Sequence, residues 1–308
     1  MTEITSEERD QGSSSDDDHV MEVLCTCKPC ADGDMSPVAI DGDANAFILS
    51  RRTFNFSMGD GRTIGANITQ NFIGIDDTGG AVWSPCVELS RWLCLMEPTM
   101  EDARHQQEST IPAIRGATIL EIGAGLGLLS IVAHRLGAKT IVATDFDSGD
   151  GLIGLLQKNI AENCQRPGQG HDRGHCSQGH DGGRCGEGGG KDETGNTRPM
   201  LHIFNLPWGD ENALKKALEP FGGHLPELVL ASDVLHLPEL YPQLTATLRM
   251  ACRDGSVTLL SCQQRNPAAE DGFVEDLAKD FAVARLHVSK DGRLAIFMLR
   301  SAALVPPT

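Results

Sequence analysis

The apolar run ATIL (117–120) leads directly into Glu121-Ile122-Gly123-Ala124-Gly125-Leu126-Gly127, an acid followed by glycines at every second position. Such a run reads as a buried strand. Glycines at its carboxyl end let the backbone approach a ligand while the N–H groups of the next helix point at it. A second apolar run, TIVAT (140–144), ends in Asp145. A carboxylate there can accept two hydrogen bonds from a pair of ribose hydroxyls. The other reading is an acidic N-cap of the next helix, for which Asp147 is a second candidate. A third run, ELVLA (227–231), ends in Ser232 and Asp233, with His236 close behind. Asp233 is either a carboxylate that orients a reacting group or a structural cap of the strand end. His236 is either a base working near neutral pH or an exposed loop side chain.

Acids and glycines act together only if elements bring their strand ends together. AFILSRRTFNF (46–56) and RTIGANITQNF (62–72), joined through GDG, read as a β-hairpin. Cys86, Leu89, Leu93 and Met96 have helical spacing, as does LLSIVAHRL (128–136); Leu152, Leu156 and Ile160 mark a further helix. Beyond these come a strand at LHIF (201–204), a short helix near 210–219 and the strand ELVLA. A helix through Leu240, Leu244 and Leu248, the strand SVTLLSC (256–262) and a helix at FVEDLAKDF (273–281) follow. VARLHV (283–288) and RLAIFML (293–299) close the chain as a pair. Strands and helices in alternation predict a doubly wound, mainly parallel α/β sheet with an antiparallel edge strand. Ligands of such sheets bind outside the carboxyl ends of the strands, where these acids and glycines fall.

The chain has 308 residues and a net charge of −17. Residues 1–45 carry twelve Asp and Glu against Arg9 and Lys28, so most of the charge lies in this acidic segment. Its composition predicts disorder, as does that of residues 164–199, which hold eleven glycines and no Leu, Ile, Val, Met or aromatic. The remainder suits one domain over 46–308, interrupted by that insertion. An acidic field disfavours direct nucleic-acid binding, and no apolar run reaches membrane-spanning length. The first residues lack the order of a signal peptide, so the reading is cytoplasmic or nuclear, with the ten cysteines as reduced thiols. Cys25, Cys27 and Cys30, and His171, His175, Cys176, His180 and Cys185, are read as unligated, because structural zinc needs paired ligands within an ordered core.

Two cofactor classes compete for the glycine turn. A dinucleotide loop needs G-x-G-x-x-G, but Leu128 stands where the third glycine belongs, and a reading from Gly125 ends on Ser130. The acid-first pattern E-x-G-x-G-x-G fits class I methyltransferases, whose loop lies against the amino-acid end of S-adenosyl-L-methionine. VWSPCVELSRWL (82–93), ILEIGAGLGLLSIVAHRLGA (119–138), VATD (142–145), LLQKNIAEN (155–163), LPWGDE (206–211), LASDVLH (230–236) and CQQR (262–265) together resemble the eukaryotic methyltransferase-like protein-lysine methyltransferases. The resemblance spans residues about 46–300 except the insertion.

That resemblance implies a Rossmann-like, seven-stranded sheet with an N-terminal hairpin extension, and methyl transfer to a lysine of a protein substrate by a monomer. It implies cofactor contacts by Trp83, Glu121, Gly123, Ala124, Gly125, Gly127, Asp145, Trp208 and Ser232, with Asp233 and His236 at the catalytic end. For Trp83 and Trp208 core packing is the alternative. The family signature D-x-x-Y/F reads Asp233-Val234-Leu235-His236 here, so Tyr241 is a candidate for the missing ring. The change also leaves open an arginine or histidine target, or a non-catalytic member of the fold that binds cofactor or partner.

Overall fold

The computed structural model describes residues 37–38, 49–71, 78–97, 111–149, 151–164, 183–185, 199–253 and 255–301. Of the acidic segment only residues 37–38 fall among these; of the glycine-rich stretch, residues 164, 183–185 and 199 do. Cys25, Cys27, Cys30, His171, His175, Cys176 and His180 lie outside the described residues.

β1 (Pro37–Val38), β2 (Leu49–Ser57) and β3 (Thr63–Asn71) form a small antiparallel sheet in that order. The β2–β3 turn is closed by Gly61 N–H donating to the Met58 carbonyl at 3.1 Å, with Gly61 at a φ of 84°. Alternate residues Phe54, Phe56, Ile64, Ala66 and Ile68 are buried, so one face of the expected hairpin belongs to the core.

The main sheet holds β4 (Thr118–Ile122), β5 (Thr140–Asp145), β6 (Gly183–Cys185), β7 (Met200–Asn205), β8 (Leu228–Ser232), β9 (Val257–Gln263), β10 (Phe281–Val288) and β11 (Leu294–Ser301). Their order is β10-β11-β9-β8-β4-β5-β7-β6, with β7, β5, β4, β8 and β9 parallel. β6 is a three-residue edge strand, antiparallel to β7, where the sequence predicted no regular structure. The antiparallel strand expected at the far edge is instead second from it: β11 runs between β9 and β10 and opposes both. The chain leaves one strand position open on reaching β10. It then turns back at Ser289–Leu294 to fill that position, so β11 is paired on both sides.

Helices α1 (Ser84–Met96), α2 (Leu128–Leu136) and α3 (Leu152–Cys164) pack with the hairpin on one face. Helices α4 (Glu211–Leu218), α5 (Tyr241–Ala251) and α6 (Pro267–Leu277) cover the other. Strand alternation divides the buried side chains: Ile119, Ile141, Leu230 and Leu259 enter the first core, and Leu120, Val142, Val229 and Leu260 the second. Helix α6 departs from its predicted span of 273–281. Pro267 occupies its first turn and Asn266 caps it, accepting from Ala269 N–H, so FVEDL is its second half and Phe281 already belongs to β10.

Candidate functional site

A cavity of about 580 Å³ opens at the carboxyl ends of β4, β5 and β8. Gly123, Ala124 and Gly125 form one wall of it. Gly123 has a φ of 70°, and a Cβ there would lie 2.8 Å from Val234 Cγ1, so bare backbone must face the cavity. The loop is tied at its ends. Ala124 N–H donates to the Thr144 carbonyl at 2.9 Å, and Thr144 Oγ1–H donates to the Glu121 carbonyl at 2.7 Å.

Asp145 lines the cavity at the end of β5 and is partly exposed. Its Oδ2 accepts from Gly125 N–H at 2.5 Å and its Oδ1 from Phe146 N–H at 2.7 Å. An ionised carboxylate has about four acceptor positions, so a vicinal diol can be received beside the loop. Trp83, directly before α1, and Trp208, in the turn after β7, give the cavity flat half-buried apolar walls. The Trp208 turn is held to β5 by Leu206 N–H on the Asp145 carbonyl at 2.7 Å, and to α5 by Gly209 N–H on Thr247 Oγ1 at 2.8 Å. Phe146, 47% exposed, lines the cavity beside Asp145.

Ser232, Asp233 and His236 line the same cavity from the β8 end. The Asp233 carboxylate is paired through both oxygens with Arg265: Nη1 to Oδ1 at 2.6 Å and Nη2 to Oδ2 at 2.7 Å. His236 Nδ1 lies 3.0 Å from the Asp233 carbonyl. A carbonyl only accepts, so Nδ1 carries the hydrogen, and Nε2 is the basic nitrogen of the neutral ring. The Cys86 thiol, also in the wall, stays protonated because burial pushes it up to about 12.

Three residues expected near the ligand are not in this wall. Glu121 is fully buried beneath the loop, on the α2 side of β4, because strand alternation turns it to the face of Ile119; Ser130 Oγ–H donates to its Oε2. Gly127 has a φ of 84°, and a Cβ on it would lie 2.6 Å from Leu156 Cδ1. Its lack of a side chain serves the approach of α3, not of a ligand. Tyr241 packs against Phe273 with tilted rings whose centroids lie 4.5 Å apart, and its hydroxyl donates to the Leu235 carbonyl at 3.0 Å, so it supplies no ring to the cavity. Arg265, which carried no assigned role, is the addition. Its signal was its place just past β9, the parallel neighbour of β8, which ends at Ser232 directly before Asp233.

The charged groups of the wall are Asp145, Asp233 and the engaged Arg265. Two carboxylates against one guanidinium give the wall an acidic balance, which disfavours a dianionic pyrophosphate and suits the sulfonium and ammonium of S-adenosylmethionine. The residues present therefore fit S-adenosylmethionine: the glycine loop beside its amino-acid part, Asp145 for the ribose and the indoles for the apolar adenosine body.

The strand order, with antiparallel β11 second from one edge, and the cavity at the ends of β4, β5 and β8 define the class I methyltransferase fold. Residues 104–170 match the family model of ribosomal protein L11 methyltransferase (PrmA). The chain is similar to protein N-lysine methyltransferase METTL21A of Danio rerio, 26% identical over 184 residues, 60% of this chain and 66% of that one. It is 24% identical over 216 residues to METTL21A of Mus musculus, 70% of this chain and 74% of the relative. Among solved structures it overlaps magnesium protoporphyrin IX methyltransferase from Synechocystis PCC 6803 with bound SAM. The identity is 15%, over 70% of this chain and 78% of that one, with a TM-score of 0.39. Among the described residues, no helix is long and apolar enough to cross a membrane.

Proposed function

We propose that the protein is an S-adenosylmethionine-dependent methyltransferase that modifies a lysine side chain of a protein substrate. The observation that carries this reading is one cavity with two chemically distinct ends. One end joins the glycine loop, Asp145 and the indole walls; the other joins Asp233 and His236. Likeness to protein N-lysine methyltransferases supports the choice of lysine.

Bound there, S-adenosylmethionine would supply an activated methyl group on its positively charged sulfonium, with a neutral thioether as the leaving group. The chain's own residues hold and orient. Asp145 receives the ribose hydroxyls, and the backbone of Gly123–Gly125 sets how deep the ligand sits. A lysine amine has an ordinary pKa of about 10.4 and must shed its proton to expose the lone pair. Asp233 accepts a hydrogen bond from that amine and fixes its direction, and placement in line accounts for most of the acceleration such a transfer needs. His236, the flat residue in place of the family's aromatic, borders the acceptor end and offers Nε2 as a proton acceptor.

Calorimetric titration with S-adenosylmethionine and S-adenosylhomocysteine, followed by labelled-methyl transfer into lysate proteins, tests the reading. Micromolar binding with label on lysine supports it. Binding with no transfer to any protein would favour a non-catalytic member of the fold, and label on arginine or histidine would redirect the target.

A further inference from the structure

We infer that Arg265 is a positioning residue of the methyl-accepting end: it fixes the Asp233 carboxylate through both oxygens and sets a permanent positive charge where the incoming amine must be neutral. The inference deepens the methyltransferase reading and rests on it.

Asp233 is the only non-glycine residue with positive φ among the described residues, at 56°. A left-handed L-residue costs roughly 1–2 kcal/mol and persists where its surroundings over-determine it. Here every polar group of the residue is held. Its N–H donates to the Ser261 carbonyl at 2.8 Å, its carbonyl meets His236 Nδ1 and its carboxylate meets Arg265. Arg265 is itself anchored. Its backbone N–H donates to Glu270 Oε1 at 2.9 Å and Oε2 at 3.1 Å, and its guanidinium carbon lies 5.5 Å from the centre of the Trp83 ring. Buried Glu270, Arg265, Asp233 and Trp83 thus form one braced chain from α6 across the cavity wall to the start of α1.

The placement carries a chemical consequence. The pair takes one acceptor position on each Asp233 oxygen, and a carboxylate oxygen has about two. An amine bonded to Asp233 would then sit roughly 4–6 Å from the guanidinium, where a like charge disfavours the protonated form. The same carboxylate that orients the nitrogen is held by the charge that favours its neutral form. This eases release of the amine's proton, to His236 Nε2 or to water, and so exposes the lone pair. The other ionisable groups around the pair are His236, Glu270, which is occupied by the Arg265 and Asn266 amides, and the thiols of Cys86 and Cys262. Both thiols are pushed up to about 12 by burial and so stay neutral.

The test measures initial rates of labelled-methyl transfer from S-adenosylmethionine into the most strongly labelled protein of a heat-inactivated lysate. Wild type, Arg265→Gln and Arg265→Lys are compared from about pH 6.5 to about pH 9.5, each with a parallel S-adenosylhomocysteine titration. In Arg265→Gln the cofactor affinity should stay within about twofold. The kcat should fall at least about tenfold at neutral pH, and the pH at which the rate rises should move up by about one unit. Arg265→Lys should restore the pH position but only part of the rate, since an ammonium is a point charge that cannot match a planar fork. Wild-type kcat and pH position in Arg265→Gln would overturn the inference. So would a loss that neither shifts with pH nor recovers with lysine, or a loss of S-adenosylhomocysteine binding, which would put Arg265 in the cofactor half. A wild-type chain that binds neither S-adenosylmethionine nor S-adenosylhomocysteine would instead bring down the methyltransferase reading itself, and this inference with it.

Discussion

Asn159 and Thr69 exchange two hydrogen bonds: Thr69 N–H donates to Asn159 Oδ1 at 2.9 Å, and Asn159 Nδ2 donates back to the Thr69 carbonyl at 3.0 Å. A side-chain amide from α3 thereby pairs with β3 as a neighbouring strand would. One helical turn later Asn163 does the same for Asn67, at 2.8 and 2.7 Å. β3 is the edge of the small sheet, and the two asparagines satisfy the backbone groups that an edge leaves open. Asn159 Nδ2 also donates to the Leu126 carbonyl at 3.1 Å, so the hairpin, α3 and the glycine loop meet at one side chain.

Replacing Asn159 by alanine strands the Thr69 N–H, the Thr69 carbonyl and the Leu126 carbonyl in a buried site. At about 1–3 kcal/mol for an unsatisfied buried group, and less than additively for three together, the expected loss is about 2–4 kcal/mol. Urea unfolding measures it as a lowered midpoint with unchanged slope. A loss below about 1 kcal/mol would mean that water reaches these groups.

Glu121 gives the fold a pH dependence between about pH 4.5 and about pH 8. Burial raises its pKa to about 8 from an ordinary 4.5, so the folded state holds a proton that the unfolded chain has released. Its contribution is therefore fully present below about pH 4.5 and declines as pH rises to about 8. Buried His134 works oppositely: its pKa is lowered to about 4 from 6.5, so its contribution grows with pH across that interval and is complete above it. Between about pH 6.5 and 8 the Glu121 slope stands alone of the two, on the order of 1–2 kcal/mol in all. Glu121→Gln should flatten that decline in denaturant titrations at successive pH values; equal slopes in both proteins would contradict a protonated Glu121.

Gly123→Ala and Gly149→Ala separate backbone strain from loss of space. Both glycines have positive φ, 70° and 96°, but only at Gly123 does a Cβ meet a neighbour, Val234 at 2.8 Å; none lies within 4 Å of Gly149. Gly123→Ala should cost about 1–3 kcal/mol and weaken S-adenosylhomocysteine binding at least about tenfold. Gly149→Ala should cost about 1 kcal/mol and leave binding intact, as read by thermal unfolding and calorimetry.

Asp145→Ala removes the carboxylate beside the loop while leaving the strand ladder of β5 in place. S-adenosylhomocysteine affinity should fall by at least about tenfold, with little change in unfolding midpoint because the side chain is partly exposed. Unchanged affinity would remove Asp145 from the ribose role and leave it as a clamp on Gly125 and Phe146.

Much of this was legible in local pattern. The apolar run 140–144 lies within β5, the run 117–120 enters β4 at Thr118, and residues 128–136 form α2 as their spacing predicts. Gly123, Asp145 and Asp233 could be found because parallel strands deliver their carboxyl ends to one edge, so a residue's place after a strand already fixes its neighbourhood. The helix at 267–277 was read too late because its start depends on a cap and a proline, not on apolar spacing. The three-residue β6 inside the glycine-rich stretch exists only through pairing with β7, which no local signal announces.

The sequence by itself determined the order of elements, the doubly wound class and nine of the residues that line the cavity, because periodicity and strand-end position are local properties. The tertiary structure alone decided four assignments. Glu121 and Gly127 share the motif of the cavity glycines, yet one is turned under the loop by strand alternation and the other is spent on the contact with α3. Tyr241 follows His236 closely in the chain, yet its ring packs on Phe273 and stays out of the cavity wall. Arg265 reaches Asp233 across 32 positions. The reason is common to all four: which face a residue takes, and which partner satisfies it, depends on groups brought together from distant parts of the chain.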